Sequence, residues 1–181
     1  MKKLMILAAV AVAAIATQAA SYDWKTKAGT SNQVYVNGTE TVYNGTAYLF
    51  LAASAETVYN DWKAGTALSA MSSLDNQAIS AGKITAGAAF DNTADPISVI
   101  FATEYASGSD KFLYISTSAT QDGSDIGSAT INFTGNAATS KLAASTGAYS
   151  GAGWYSSVPE PTSGLLLLLG MAGLALRRRR A

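Results

Sequence analysis

The 181-residue sequence contains no cysteine and no histidine, and its four arginines all lie among the last five positions. Without cysteine the chain has no disulfide and no thiolate nucleophile. Without histidine it has no Ser-His-Asp triad and no zinc–histidine site. The lack of arginine in the body of the chain also excludes a bidentate guanidinium clamp there. These absences exclude the commonest enzymatic and metal-binding chemistries, and we expect no catalytic residue, no cofactor and no metal site.

The body of the chain is acidic, although the formal charge of the whole sequence is zero. Residues 20–158 contain six lysines and eleven aspartates and glutamates, which gives this stretch a net charge of −5. An acidic surface repels the phosphate backbone, so we expect no nucleic-acid partner. The stretch is also long enough to fold around a hydrophobic core without disulfides.

Residues 1–19 have the three parts of a secretory signal peptide. Lys2 and Lys3 form a positive start, and an apolar run follows at residues 4–15. Thr17 and Ala19, before the bond between Ala19 and Ala20, then place small side chains at the two positions that a signal peptidase pocket must accept. We therefore predict that signal peptidase cuts at this bond, so that the mature chain begins at Ala20.

The other end of the chain combines a Pro-Glu-Pro tripeptide, an apolar run and a basic cluster. The prolines favour an extended, accessible segment. Residues 164–176 predict a helix of about 20 Å, at about 1.5 Å per residue. That length is marginal against a hydrocarbon core of about 30 Å, and the arginines that follow would stay on the cytoplasmic side. The tripeptide is Pro159, Glu160 and Pro161, and the basic cluster is Arg177, Arg178, Arg179 and Arg180.

Residues 158–181, with these three parts in order, resemble the PEP-CTERM sorting signal. The resemblance implies a membrane enzyme of the exosortase type, which would cut near the Pro-Glu-Pro tripeptide and discard the tail. It also implies transient insertion into the inner membrane, with the four arginines as stop-transfer signal, followed by location at the cell surface or outside the cell. Bacteria that carry such proteins make exopolysaccharide, which makes exopolysaccharide an implied partner. The alternative is a tail that is kept as a permanent anchor.

Short segments rich in Val, Ile, Tyr, Phe and Thr predict β-strands in the body of the chain. Asn37-Gly38 and the segment 107–110 predict two hairpin turns between neighbouring strands. In the last segment, alternation predicts that Ile131 and Phe133 share one buried face. The predicted strands are residues 33–36, 39–43, 46–51, 97–105, 111–116 and 128–133.

A helical pattern interrupts these strands, because apolar residues recur at three- and four-residue steps between positions 55 and 80. Ser54 is a candidate N-cap and Gly82 a candidate end, while Gly65 makes two short helices as plausible as one. We predict a mainly β fold, a small antiparallel sandwich-like domain at 20–146 with a short helical insertion near 55–80. Terminal signal and hydrophobic tail helices would flank it.

The segment 147–157 is rich in Gly, Ser and aromatic residues and is interpreted as a tether to the sorting signal. Trp154 and Tyr155 offer an alternative, in which they complete the last strand. With Tyr22 and Trp24 they also form a candidate stacking platform for sugars, because all four lie near the ends of the domain. Phe101, Phe112 and Tyr114 are expected in the core.

Two loops, residues 91–95 and 122–125, carry the oxygen-rich side chains of a calcium site, but ordinary turns explain them better. The leading hypothesis is therefore a non-enzymatic exported protein of the cell surface or extracellular matrix. The alternative is a surface carbohydrate-binding module. A third is an extracellular glycoside hydrolase, which needs only two suitably spaced carboxylates.

Overall fold

Ten β-strands and two short α-helices make up the part of the chain that the computed structural model describes, residues 20–157 without 86, 88, 95 and 123–127. The fold is mainly β, as the sequence predicts. The strands are β1 Ala20–Thr26, β2 Gly45–Leu51, β3 Asp75–Ser80, β4 Lys83–Ile84, β5 Phe90–Asn92, β6 Ile97–Ser107, β7 Asp110–Ile115, β8 Ala119–Gln121, β9 Ser128–Phe133 and β10 Gly153–Ser156. The helices are α1 Ala55–Lys63 and α2 Asn136–Ser140.

The strands form two sheets. The larger has the order β10-β7-β6-β2-β3-β4, with β8 paired to β6, and all of its pairs are antiparallel. The smaller has the order β5-β1-β9, in which β1 and β9 run parallel. Antiparallel pairing therefore dominates, and the parallel pair joins the beginning of the described chain to its ninth strand.

The central strand β6 is buried on both faces, which explains its nearly continuous apolar run. Val99 and Phe101 point into the core between the two sheets, where they meet Trp24 of β1. Ile100 and Ala102 point the other way, into a second core beneath α1. The molecule thus has three layers: the small sheet, the large sheet and the helix.

The strand at residues 128–133 is predicted with the bounds that the structure gives to β9. Ala129, Ile131 and Phe133 are buried between the sheets, as the alternation indicates. The hairpin at residues 107–110 is also confirmed: Ser107 pairs with Asp110 across a two-residue turn, and Gly108 has a φ of 62°.

The first predicted hairpin is only partly formed, which corrects the strands predicted at 33–36 and 39–43. Gly38 (φ 66°) does sit in a turn, closed by the Thr39 N–H on the Val36 carbonyl at 2.8 Å. However, Tyr35 and Val42 form only an isolated bridge. The ladder stops because Gly82 comes between the two segments: the Val34 N–H donates to the Gly82 carbonyl and the Gly82 N–H donates to the Tyr43 carbonyl, both at 2.8 Å.

The helical insertion is shorter than the pattern at 55–80 predicts. α1 ends before Gly65 (φ 104°), and one short 3-10 helix follows at Leu68–Ala70, so the region holds two short helical pieces. Residues 75–80 form the strand β3 instead, because β2 offers them a free edge with five paired positions. Gly82 (φ 72°) lies in the tight turn between β3 and β4, and Ser54 makes no capping hydrogen bond through its side chain.

The tether predicted at 147–157 is corrected in favour of its alternative. Residues 153–156 form β10, which pairs with β7 at the edge of the large sheet. Trp154 enters the core between the sheets and Tyr155 enters the core beneath α1, each only 2% exposed. Trp154 Nε1 also donates to the Tyr35 carbonyl at 3.0 Å, so this segment belongs to the folded domain.

Among the residues that the structure describes, no helix is long and apolar enough to cross a membrane. The predicted signal helix at 1–19 and tail helix at 164–176 lie outside the described residues.

Candidate functional site

The described fold ends at Ser157, which is fixed to the neighbouring strand β7. The Ser157 N–H donates to the Lys111 carbonyl at 2.9 Å, and the Lys111 N–H donates to Ser157 Oγ at 3.1 Å. From the helical layer, Lys63 Nζ donates to the Ser156 carbonyl at 2.9 Å. Both β7 and α1 therefore hold the last described residues, only two positions before Pro159.

The outer edge of β10 is partly covered. Ser145 forms a parallel bridge with Tyr155. Its N–H donates to the Trp154 carbonyl and its carbonyl accepts from the Ser156 N–H, both at 2.8 Å. Since unpaired edges invite pairing with other chains, this bridge protects the strand that carries the chain out of the domain.

A cavity of about 250 Å³ lies between α1 and the β6–β7 hairpin, next to this exit. Trp62 of α1 and the loop residues 65–67 form one side, and residues 104–106 and Lys111 form the other. Glu104 and Ala106 lie on the face of β6 that carries Ile100 and Ala102, so the strand alternation directs them toward the helix. The cavity therefore continues the second core outward into a polar mouth.

Two charged side chains of this cavity, Glu104 and Lys111, have capacity for a ligand. Glu104 Oε1 accepts from the Leu68 N–H at 3.1 Å, which leaves further lone pairs on the carboxylate. Lys111 forms no ion pair with it, since Lys141–Glu40 is the one ion pair within the described part of the chain. The buried Nε1 of Trp62 has no hydrogen-bond partner, and such an unsatisfied donor costs about 1–3 kcal/mol.

The aromatic platform predicted from the sequence does not exist as a surface. Tyr22 and Trp24 are fully buried, and Trp154 and Tyr155 are nearly so. These four rings form the two cores, where Trp24 packs edge-on against Phe133 with centroids 6.0 Å apart. They are therefore unavailable for stacking on a sugar.

The predicted calcium loops are only partly described. Asp91 lies in β5 and pairs with Ser21, while Asp95 and Asp125 lie outside the described residues. Within the described ranges, no group of three His, Cys, Asp or Glu side chains is placed to hold a metal ion.

The residues predicted to take part in processing lie at or beyond the two ends of the described part of the chain. Ala20, the predicted first residue of the mature chain, begins β1 and pairs with Asn92. Ala19 lies outside the described residues. So do the tripeptide and basic cluster, Pro159, Glu160, Pro161, Arg177, Arg178, Arg179 and Arg180.

Comparison with known families finds one match, to the PEP-CTERM protein-sorting motif at residues 157–180. The chain carries a PEP-CTERM sorting motif. This motif implies an exported protein that is processed by an exosortase-type enzyme. No curated protein and no solved structure matches the chain. Ser157 is thus both the first residue of the PEP-CTERM motif and the last residue of the range that the structure describes.

The PEP-CTERM motif is predictable from the sequence, whereas the cavity between α1 and the β6–β7 hairpin is not. Trp62, Glu104 and Lys111 come from three separate elements, and no local pattern links them. They meet only because the β6–β7 register and the packing of α1 bring them to one place.

Proposed function

We propose that this chain is a non-enzymatic protein of the cell surface or extracellular matrix, whose β-domain is released or attached there after both terminal signals are removed. The observation that carries the proposal is that the PEP-CTERM motif begins at Ser157, directly after β10, the last described strand. A cut in the Pro-Glu-Pro tripeptide would leave every described strand in the product.

The N-terminal side supports the same interpretation. Because β1 begins at Ala20, removal of residues 1–19 also deletes no described strand. Ala20 is half-buried and its strand pairs with β5 and β9, so a cut a few residues further on would remove part of the small sheet. All of the described strands therefore lie between the two predicted cuts.

The junction also limits how far the domain stands from the membrane before it is cut. Six residues separate Ser157 from the apolar run that begins at residue 164. Residues 157 and 164 are seven Cα–Cα steps apart, and a fully extended chain spans at most about 3.3–3.6 Å per residue, so the domain lies within about 25 Å of the run. On this proposal the processing enzyme works in a narrow gap between membrane and domain.

The absence of an enzymatic role rests on the chemistry of the sequence. The chain lacks histidine and cysteine, and its acidic body has no arginine. A structural or binding role needs none of these side chains.

The intact mass of the protein recovered from its native host tests the proposal. We expect a species that begins at Ala20 and ends near Pro159, Glu160 or Pro161. A species that still carries residues 164–180 would instead make the tail a permanent anchor and overturn the removal step. Recovery of an unexported precursor alone would overturn the surface location.

A further inference from the structure

We propose that the cavity between α1 and the β6–β7 hairpin binds one sugar unit of an uncharged glycan. The proposal adds a ligand to the proposed surface role and holds whether or not the tail is removed. Its basis is the set of residues that line the cavity: one carboxylate, one ammonium group, the hydroxyl-bearing Thr66 and Tyr105, one indole and small residues.

The carboxylate of Glu104 and the ammonium group of Lys111 come from different strands and do not pair with each other. In the β6–β7 register Ala106 pairs with Lys111 and Glu104 pairs with Leu113, so Glu104 and Lys111 occupy diagonal positions on one face. The Cα atoms of diagonal neighbours in an antiparallel pair lie roughly 7–8 Å apart. The two side chains form no ion pair, and each is therefore free to bind a different part of one ligand.

This arrangement selects against charged ligands. An anion drawn to Lys111 also meets the carboxylate of Glu104, and a cation drawn to Glu104 also meets the ammonium group of Lys111. An α-amino acid carries both charges and could pair with both side chains, so glycine serves as the zwitterionic comparison in the test. A sugar ring carries hydroxyls around its circumference, and each hydroxyl both donates and accepts.

The hydrogen-bonding capacity of the walls matches such a ring. Glu104 accepts from ligand hydroxyls, while Lys111 and the Thr66 hydroxyl donate to them. Ala67 and Ala106 leave space between these groups because their side chains are small.

The size of the cavity limits the ligand to one unit. Its volume of about 250 Å³ lies below the range of about 300–1,000 Å³ that is usual for drug-sized ligands. A longer glycan would therefore place one unit in the cavity and leave the rest of its chain outside.

Saturation-transfer NMR on the full chain, held in a detergent without a sugar headgroup, tests this assignment. The probes are D-glucose, D-galactose, D-mannose and N-acetylglucosamine, with glycine as the zwitterionic comparison. We expect saturation transfer to at least one sugar and none to glycine.

Variants localise the signal. The double variant Glu104→Gln/Lys111→Gln is expected to weaken binding at least tenfold, and Gln keeps an oxygen for the Leu68 N–H. Ala106→Leu fills the cavity without changing a charge and is expected to abolish binding. The matched control, Glu56→Gln/Lys83→Gln, removes one exposed charge of each sign elsewhere and should bind as the unmodified chain does.

Near-UV circular dichroism establishes that each variant keeps its fold. Saturation transfer to none of the four sugars would overturn the proposal, as would sugar binding that survives both cavity variants. Binding of glycine that the double variant loses would assign the cavity to a zwitterion instead. None of these results changes the mass of the processed product, so this test and that of the proposed function fail separately.

Discussion

Lys111 and Ser157 are joined by two hydrogen bonds, from the Ser157 N–H to the Lys111 carbonyl and from the Lys111 N–H to Ser157 Oγ. Ser157 is also the first residue of the PEP-CTERM motif. The last described strand and the processing motif are therefore contiguous in sequence. The Lys111 side chain lines the adjacent cavity, so one residue of β7 connects the chain exit to the candidate ligand site.

A spacer at this junction should speed processing. We expect six inserted residues, Gly-Ser repeated three times between Ser157 and Val158, to accelerate conversion of precursor to product severalfold. The reason is that processing enzymes act best on exposed, extended chain, which the adjacent domain restricts. Pulse–chase labelling in the native host measures the rate. The same insertion in the turn at Gly108 serves as the control, and an unchanged rate with the junction spacer would show that the domain does not limit access.

The Pro-Glu-Pro tripeptide should be required for cleavage. We expect Pro159→Ala/Pro161→Ala to leave the tail in place, because alanine permits helix where proline enforces an extended segment. Intact mass of the recovered protein distinguishes the two forms. Pro96 is the remaining proline of the sequence and precedes β6, so Pro96→Ala is the matched control and should be processed normally. Normal processing of the double variant would contradict the assignment of these residues.

Substitution of Trp154 tests whether residues 153–156 belong to a strand of the domain or to a tether. Because its ring is buried between the sheets and its Nε1 donates to Tyr35, we expect Trp154→Ala to lower the free energy of unfolding by about 3–5 kcal/mol. Leu142 is 63% exposed, so Leu142→Ala should change it by no more than about 0.5 kcal/mol. Urea unfolding measures both, and equal small effects would mean that residues 153–156 are not part of the fold.

The elements that the sequence predicts well are those whose pattern is local. The alternation of Ala129, Ile131 and Phe133 is complete within β9, and the turn at Gly108 needs only its own residues. β3 has no such local pattern, because Ile79 is its one buried side chain and the strand depends on its pairing with β2. Because β3 is held by its pairing with the edge of β2, its own sequence shows too little alternation of polar and apolar residues to distinguish a strand from a helix.

The same distinction applies to the candidate sites. The PEP-CTERM motif is linear, so its three parts are legible in order along the chain. The cavity depends on residues 62, 104 and 111, which no spacing rule connects. The aromatic platform was predicted wrongly for a related reason: position near the ends of the domain does not indicate exposure when β1 and β10 both lie within sheets.

Alkaline pH should destabilise the domain through its buried tyrosines. Tyr114 is fully buried, with its hydroxyl 2.7 Å from Thr139 Oγ1 and 3.2 Å from Asn136 Oδ1. Burial raises the pKa of Tyr114, and the hydrogen bond with Thr139 opposes part of that rise. Burial also raises the pKa of Tyr43.

The sign follows from proton binding in the two states. An unfolded tyrosine titrates near pH 10, whereas the folded Tyr114 keeps its proton above that pH. Its contribution to stability is therefore complete below about pH 10, and the free energy of unfolding falls by up to about 1.4 kcal/mol per pH unit above it. Tyr114→Phe removes the titrating hydroxyl, so we expect a variant that is less stable at pH 8 but loses stability less steeply above pH 10. Urea unfolding at a series of pH values from 8 to 11.5 measures both slopes, and parallel curves would mean that Tyr114 ionises as readily in the folded chain as in the unfolded one.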